Sequence, residues 1–171
     1  MEIIKPLSSI FGFLGKTFFE KKSLEKKSDL ESYNLLKASI QPFDEVRFFF
    51  KEWDFRGAFS SSFLISFYEG VERFTDNPEN HFHDQDLQKH IMEVLETTSS
   101  MVDLALKKCR KTNSDEYDFE IKCRKYGDTE DDLETGDKLN ELSTQIFQKY
   151  STFLELAKKR LIATNEPKGL S

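Results

Sequence analysis

The sequence predicts an all-α protein: an irregular bundle of five or six helices, two of them long and antiparallel, with one long connection that carries an extended piece. Three observations predict it. Apolar residues recur three or four apart through most of the chain, the spacing that gives a helix one buried face. Nine of the 17 phenylalanines and the single tryptophan fall between Phe43 and Phe74, so the core must form around that stretch. Seven glycines and four prolines are too few for a turn-dense β fold. At 171 residues one domain can bury a sizeable core. With 37% hydrophobic and 33% charged residues, the chain is too apolar for disorder and too polar for an integral membrane protein. No run reaches the roughly 18 apolar residues a spanning helix needs, and no signal peptide is evident.

The first predicted helix places Ile3, Leu7, Ile10, Phe11, Leu14 and Phe18 on one face, with Pro6 in the first turn and Gly12 and Gly15 weakening its middle. Lys21, Lys22, Lys26 and Lys27 follow. An amphipathic helix with lysines close behind has the form of an arm that docks on a partner or rests on a membrane surface. The candidate contact residues are accordingly Ile3, Leu7, Phe11, Leu14, Phe18, Lys21 and Lys22. The plainer reading, a helix packed on the protein's own core with solvated lysines after it, weighs more in a small globule. Residues 1–27 are therefore set apart as an amphipathic and basic segment, 28–163 as the helical bundle and 164–171 as a tail containing Pro167 and Gly169.

Ser28 should cap a second helix with Asp29 and Glu31 in its first turn and Leu30, Tyr33, Leu36 and Ile40 as its stripe, and Pro42 ends this helix or opens the next. Phe43, Val46, Phe50 and Trp53 mark a third helix. Arg56-Gly57 breaks it, and Phe59, Phe63, Phe67, Val71 and Phe74 resume the pattern in a fourth, with Ser60–Ser62 supplying the cap. After a loop around Asp76-Asn77-Pro78, Asp84 caps a long helix to about Arg110 with Leu87, Ile91, Val94, Leu95, Met101, Val102, Ala105 and Leu106 inward. From Lys111 to Asp132 the period changes: Tyr117, Phe119, Ile121 and Cys123 alternate with charged residues, which predicts an extended piece with no evident partner strand. The last helix, about Leu133 to Ala163, steps through Leu139, Leu142, Ile146, Tyr150, Phe153, Ala157 and Leu161. The predicted core is Phe50, Trp53, Phe59, Phe63, Phe67, Ile91, Leu95, Val102, Leu142, Ile146, Tyr150 and Phe153.

The net charge of −6 argues against a cationic nucleic-acid surface. Residues 1–27 hold six lysines against three glutamates, a balance of +3, so the remaining chain stands at −9. Cys109 and Cys123 have no CxxC spacing; a disulfide across the short gap between them is one reading, and two free thiols in a reducing compartment is the favoured one.

The one constellation suggestive of chemistry is His81, His83, Asp86 and His90. His81 and His83 share a side if extended, and Asp86 and His90 lie one helical turn apart. Imidazole with carboxylate suits a divalent zinc, manganese or ferrous ion. Against this, Asp84 and Asp86 suit a helix start, and the spacing matches no metalloenzyme motif. The acidic run Asp128–Asp137 fails as a calcium loop, because its sixth and twelfth positions are Leu133 and Leu139. A Gly-rich phosphate loop, a GxSxG elbow and a zinc-type cysteine set are all missing from the sequence. The favoured expectation is a non-catalytic cytoplasmic interaction module, without a cofactor, that binds a partner protein or a second copy of itself and rests peripherally on a membrane if its first helix is an anchor. The alternative is a small metal-dependent hydrolase or nuclease using the histidine cluster.

Overall fold

The computed structural model describes residues 7–113, 116–121 and 129–163, with side chains from residue 20 onward. Among the described residues, five α-helices and one two-stranded ribbon form an all-α bundle, the class read from the sequence. Its spine is the antiparallel pair α4 (Gln85–Lys108) and α5 (Glu130–Ala157). Lys108 at the end of α4 meets Asp131 at the start of α5 at 2.9 Å, and Lys149 reaches the Thr97 hydroxyl at 2.7 Å in the middle. Asp84 caps α4 as expected, accepting from the N–H groups of Asp86 and Leu87 at 3.0 and 3.2 Å. Helix α5 starts three residues before its expected onset. Thr129 and Asp132 form a reciprocal capping box there, with Thr129 N–H donating to Asp132 at 2.9 Å.

Helix α1 runs unbroken from Leu7 to Ser39, so the expected start at Ser28 does not occur. The intervening stretch Lys21–Lys27 holds lysine, glutamate and leucine, which favour helix, and neither glycine nor proline. Propensity therefore carries the helix through a segment with little to bury. Tyr33, Leu36 and Ile40 enter the core at its C-terminal end.

Pro42 opens α2 (Phe43–Arg47), which widens into a π-helical turn, Phe48–Glu52. Phe55, in the turn that follows, and Phe59, just beyond it, are fully buried. Phe59 was expected to open a helix; instead it exchanges backbone hydrogen bonds with Phe119 at 2.8 and 3.0 Å. Helix α3 (Ser61–Asp76) begins two residues later, because Ser60 caps it by accepting the Phe63 N–H at 3.3 Å. The Asp118 carboxylate takes the Ser61 N–H at 2.7 Å and its hydroxyl at 2.5 Å. The extended piece does have a partner strand. β1 (Cys109–Lys111) pairs antiparallel with β2 (Phe119–Ile121), Cys109 facing Ile121. The residues expected to finish α4 thus leave the helix to form this ribbon.

Of the predicted core, Phe50, Phe59, Phe67, Ile91, Leu142, Ile146, Tyr150 and Phe153 are buried, while Trp53, Phe63, Leu95 and Val102 are only partly so. Polar contacts fasten the aromatic segment to α5: among them, the Ser143 hydroxyl donates to the Phe50 carbonyl at 2.5 Å, and the Asn140 side chain accepts the Phe55 N–H at 2.9 Å. No described helix is long and apolar enough to cross a membrane.

Candidate functional site: an aromatic cleft and a latched histidine loop

The loop that carries His81 and His83 is held from two sides. The buried carboxylate of Asp29 on α1 accepts the N–H groups of His83 and Asp84 at 2.6 and 3.0 Å. Arg160, in the π-helical turn Lys158–Ile162 that ends α5, donates to both oxygens of Asp84 at 2.5 Å and to Asp86 at 2.6 Å. Burial alone would raise the Asp84 carboxyl, but the bonds from Arg160 and from the Leu87 and Asp86 N–H groups outweigh it and hold the carboxyl below the ordinary range. The same carboxylates push the Arg160 guanidinium up.

This arrangement decides the fate of the expected metal ligands. Asp86 is turned to Arg160. The His81 ring sits 2.9 Å from the Pro78 carbonyl and edge-on to His83, with centroids 4.7 Å apart. His90 stands 3.3 Å from Glu93 on its own helix. Among the described residues no three histidine, cysteine, aspartate or glutamate groups lie close enough together to hold a metal ion. A polar cleft of about 330 Å³ adjoins the loop, and its cations Lys22, Lys26 and Arg160 are matched by Glu25, Asp29 and Asp84. With both signs interleaved, it offers no field for an anion.

A second cleft, of about 430 Å³, opens on the opposite chemistry. Its floor is Phe49 against Phe63, stacked with centroids 4.4 Å apart. Its wall is Trp53, stacked on Tyr117 at 4.9 Å and 17°, with Phe48 edge-on to Trp53 at 5.7 Å. Carboxylates stand at the rim: Asp44 and Glu45 in the first turn of α2, and Glu116 beside Tyr117. The local sequence builds each part. The indole Nε1 donates to the Ala58 carbonyl at 3.3 Å, which fixes Trp53. Thr112 fixes Tyr117 by donating its N–H to the Asp118 carbonyl at 2.7 Å and its hydroxyl to the Tyr117 carbonyl at 3.0 Å. The bond with Glu116, then burial, raises the Tyr117 phenol above its ordinary value, so it stays neutral near pH 7. The Ser60 hydroxyl at the edge is committed to its cap and to Ser62. The lining is thus predominantly aromatic, with carboxylates at its edge.

The sequence reading assigned Trp53 and Phe63 to the core and missed this cleft. A signal was present: three consecutive rings, Phe48-Phe49-Phe50, cannot all face one side of a helix that turns about 100° per residue. Phe49 and Phe50 are buried, and Phe48 is 52% exposed. Of the candidate contact residues at the start of the chain, Ile3 lies outside the described residues. Leu7, Phe11, Leu14 and Phe18 lie on α1, their side chains outside the described set. Lys21 is exposed and 3.7 Å from Glu25, and Lys22 lines the polar cleft. Cys109 is buried in β1, and Cys123 lies outside the described residues. No protein-family model matches the chain, and no curated protein or solved structure matches it significantly.

Proposed function

We propose that this chain is a non-catalytic helical interaction module, acting in the cytoplasm, and that a partner protein docks in the aromatic cleft between α2 and the ribbon. One observation carries the reading: Phe48, a large apolar side chain half exposed at 52%, stands at the mouth of a cleft whose other rings are Trp53, Tyr117, Phe49 and Phe63. Contiguous apolar surface with a polar rim is the composition of contact sites, and tryptophan and tyrosine are the residues that most often dominate their energetics.

Phe48→Glu tests it. The half-exposed position tolerates the change, so the variant should keep the wild-type melting temperature. Proteins captured from the native cells by wild type and lost by the variant are then purified and titrated calorimetrically against both. Binding to wild type that weakens at least roughly tenfold in the variant supports the cleft as a hot spot. A purified partner that binds both proteins equally well would refute it.

A further inference from the structure

We infer that the cleft's occupant is a basic amphipathic peptide segment, seating one or two large apolar side chains between the rings while flanking lysines or arginines meet the rim. The inference rests on the docking reading above and adds the chemistry of the partner. Size comes first. A cavity of about 150 Å³ lined by apolar side chains holds a benzene ring. A cleft of about 430 Å³ therefore takes more than one large side chain.

Charge comes second. The rim offers Asp44, Glu45 and Glu116, and the Asp44 side chain is 87% exposed with Arg47 no nearer than 4.0 Å. The faces of Phe48, Trp53 and Tyr117 are themselves attractive to cations. These acids stand on two separate elements, α2 and the turn before β2, so the negative charge is distributed around the cleft rather than gathered at one point. Cations spread along a chain match that distribution. Beyond the first 27 residues the protein carries a net −9, from −6 overall less the +3 of residues 1–27, which draws a basic segment toward it.

The sole tryptophan lies in the wall, so its emission reports occupancy directly. Three synthetic peptides without tryptophan or tyrosine serve as probes: one mixing lysine with leucine and phenylalanine, one with glutamate in place of every lysine, and one with serine in place of every apolar residue. The first should shift Trp53 emission saturably, with a Kd lower by roughly tenfold or more than the other two. Asp44→Asn with Glu45→Gln should weaken it several-fold and reduce its salt dependence. Phe48→Glu adds negative charge while removing apolar wall, so weaker binding there separates seating in the cleft from general attraction to an acidic protein. If the glutamate peptide binds as tightly as the lysine one, or none of the three moves the emission, the inferred chemistry is overturned while docking of another partner survives. Saturable binding of the lysine peptide that Phe48→Glu leaves unchanged overturns the cleft as the docking site as well.

Discussion

Gly70 and Gly136 are both helical glycines whose missing side chain faces another element, and Gly→Ala at the two should give opposite results. A Cβ at Gly70 on α3 would lie 2.8 Å from Ile40 Cγ2 and 3.2 Å from the Ser39 carbonyl carbon, with the Ser39 carbonyl oxygen nearer still. That is the backbone at the end of α1, which cannot rotate out of the way, so the two helices must move apart. Overpacking of this kind costs about 1–3 kcal/mol. Because the obstruction is backbone, the upper part of that range, about 2–3 kcal/mol, applies; alanine returns about 1 kcal/mol through helix propensity, leaving a net loss of about 1–2 kcal/mol. For a chain of this size that lowers Tm by about 2–8 °C. At Gly136 on α5 the new Cβ meets Arg56 Cγ at 2.7 Å, and the nearest backbone atom outside the helix, Arg56 Cα, is 3.4 Å away. Arg56 is 52% exposed, and its stem can swing aside at the expense of an exposed ion pair with Asp137, worth about 0–1 kcal/mol. The propensity gain offsets this, so Gly136→Ala should be close to neutral. Melting followed by circular dichroism at 222 nm measures both. The reasoning fails if Gly70→Ala melts at or above wild type, or if Gly136→Ala loses as much.

Asp29→Ala should lower the urea midpoint by an amount equivalent to about 2–4 kcal/mol, because the N–H groups of His83 and Asp84 lose their shared buried acceptor; an unchanged midpoint would show that the loop is held by Arg160 alone. Ser143→Ala strips the Phe50 carbonyl of its buried donor and should cost about 1–3 kcal/mol, read by the same denaturation. Acid should weaken the fold through Asp84 and Asp118. Burial would raise the Asp118 carboxyl as it does that of Asp84, but bonds from the Ser61 hydroxyl and N–H bring it below its ordinary value. Carboxyls depressed in the folded state contribute stability that is present above their unfolded pKa near 4 and lost as pH falls through the folded value. Stability measured from pH 6 to pH 3 should therefore drop below about pH 4, and less steeply in Asp84→Asn/Asp118→Asn; an identical slope in the variant would remove these two groups from the account.

What the sequence made readable was whatever neighbouring residues decide. Asp84 as a cap, the stripe of α5 and the burial of Phe67, Ile91, Ile146 and Phe153 all follow from spacing and propensity. Decisions made by distant residues were hidden. The aromatic stripe alone does not fix the turn at Phe48–Glu52, whose Phe50 carbonyl is bonded to Ser143, 93 residues later. The partner of β2 is a three-residue strand at Cys109–Lys111, too short for any period to show. The histidine cluster looked convergent because its members are close in sequence, yet Arg160 claims Asp84 and Asp86 from the far end of the chain. The cleft was obscured for the same reason: Trp53 and Tyr117 meet only once the ribbon is folded back onto the aromatic segment.

The fastening of Phe50 and Phe55 to α5 has a consequence in time. Their partners, Ser143 and Asn140, leave the ribosome 93 and 85 residues later. At about 5–20 residues per second that is a delay of about 4–19 s. Throughout it, a segment with eleven aromatic rings between Phe43 and Phe74 is already synthesised, while the helix that covers much of it does not yet exist. Nascent chains of this protein should therefore be clients for holding chaperones, and its yield on expression should fall as translation of the second half of the message slows.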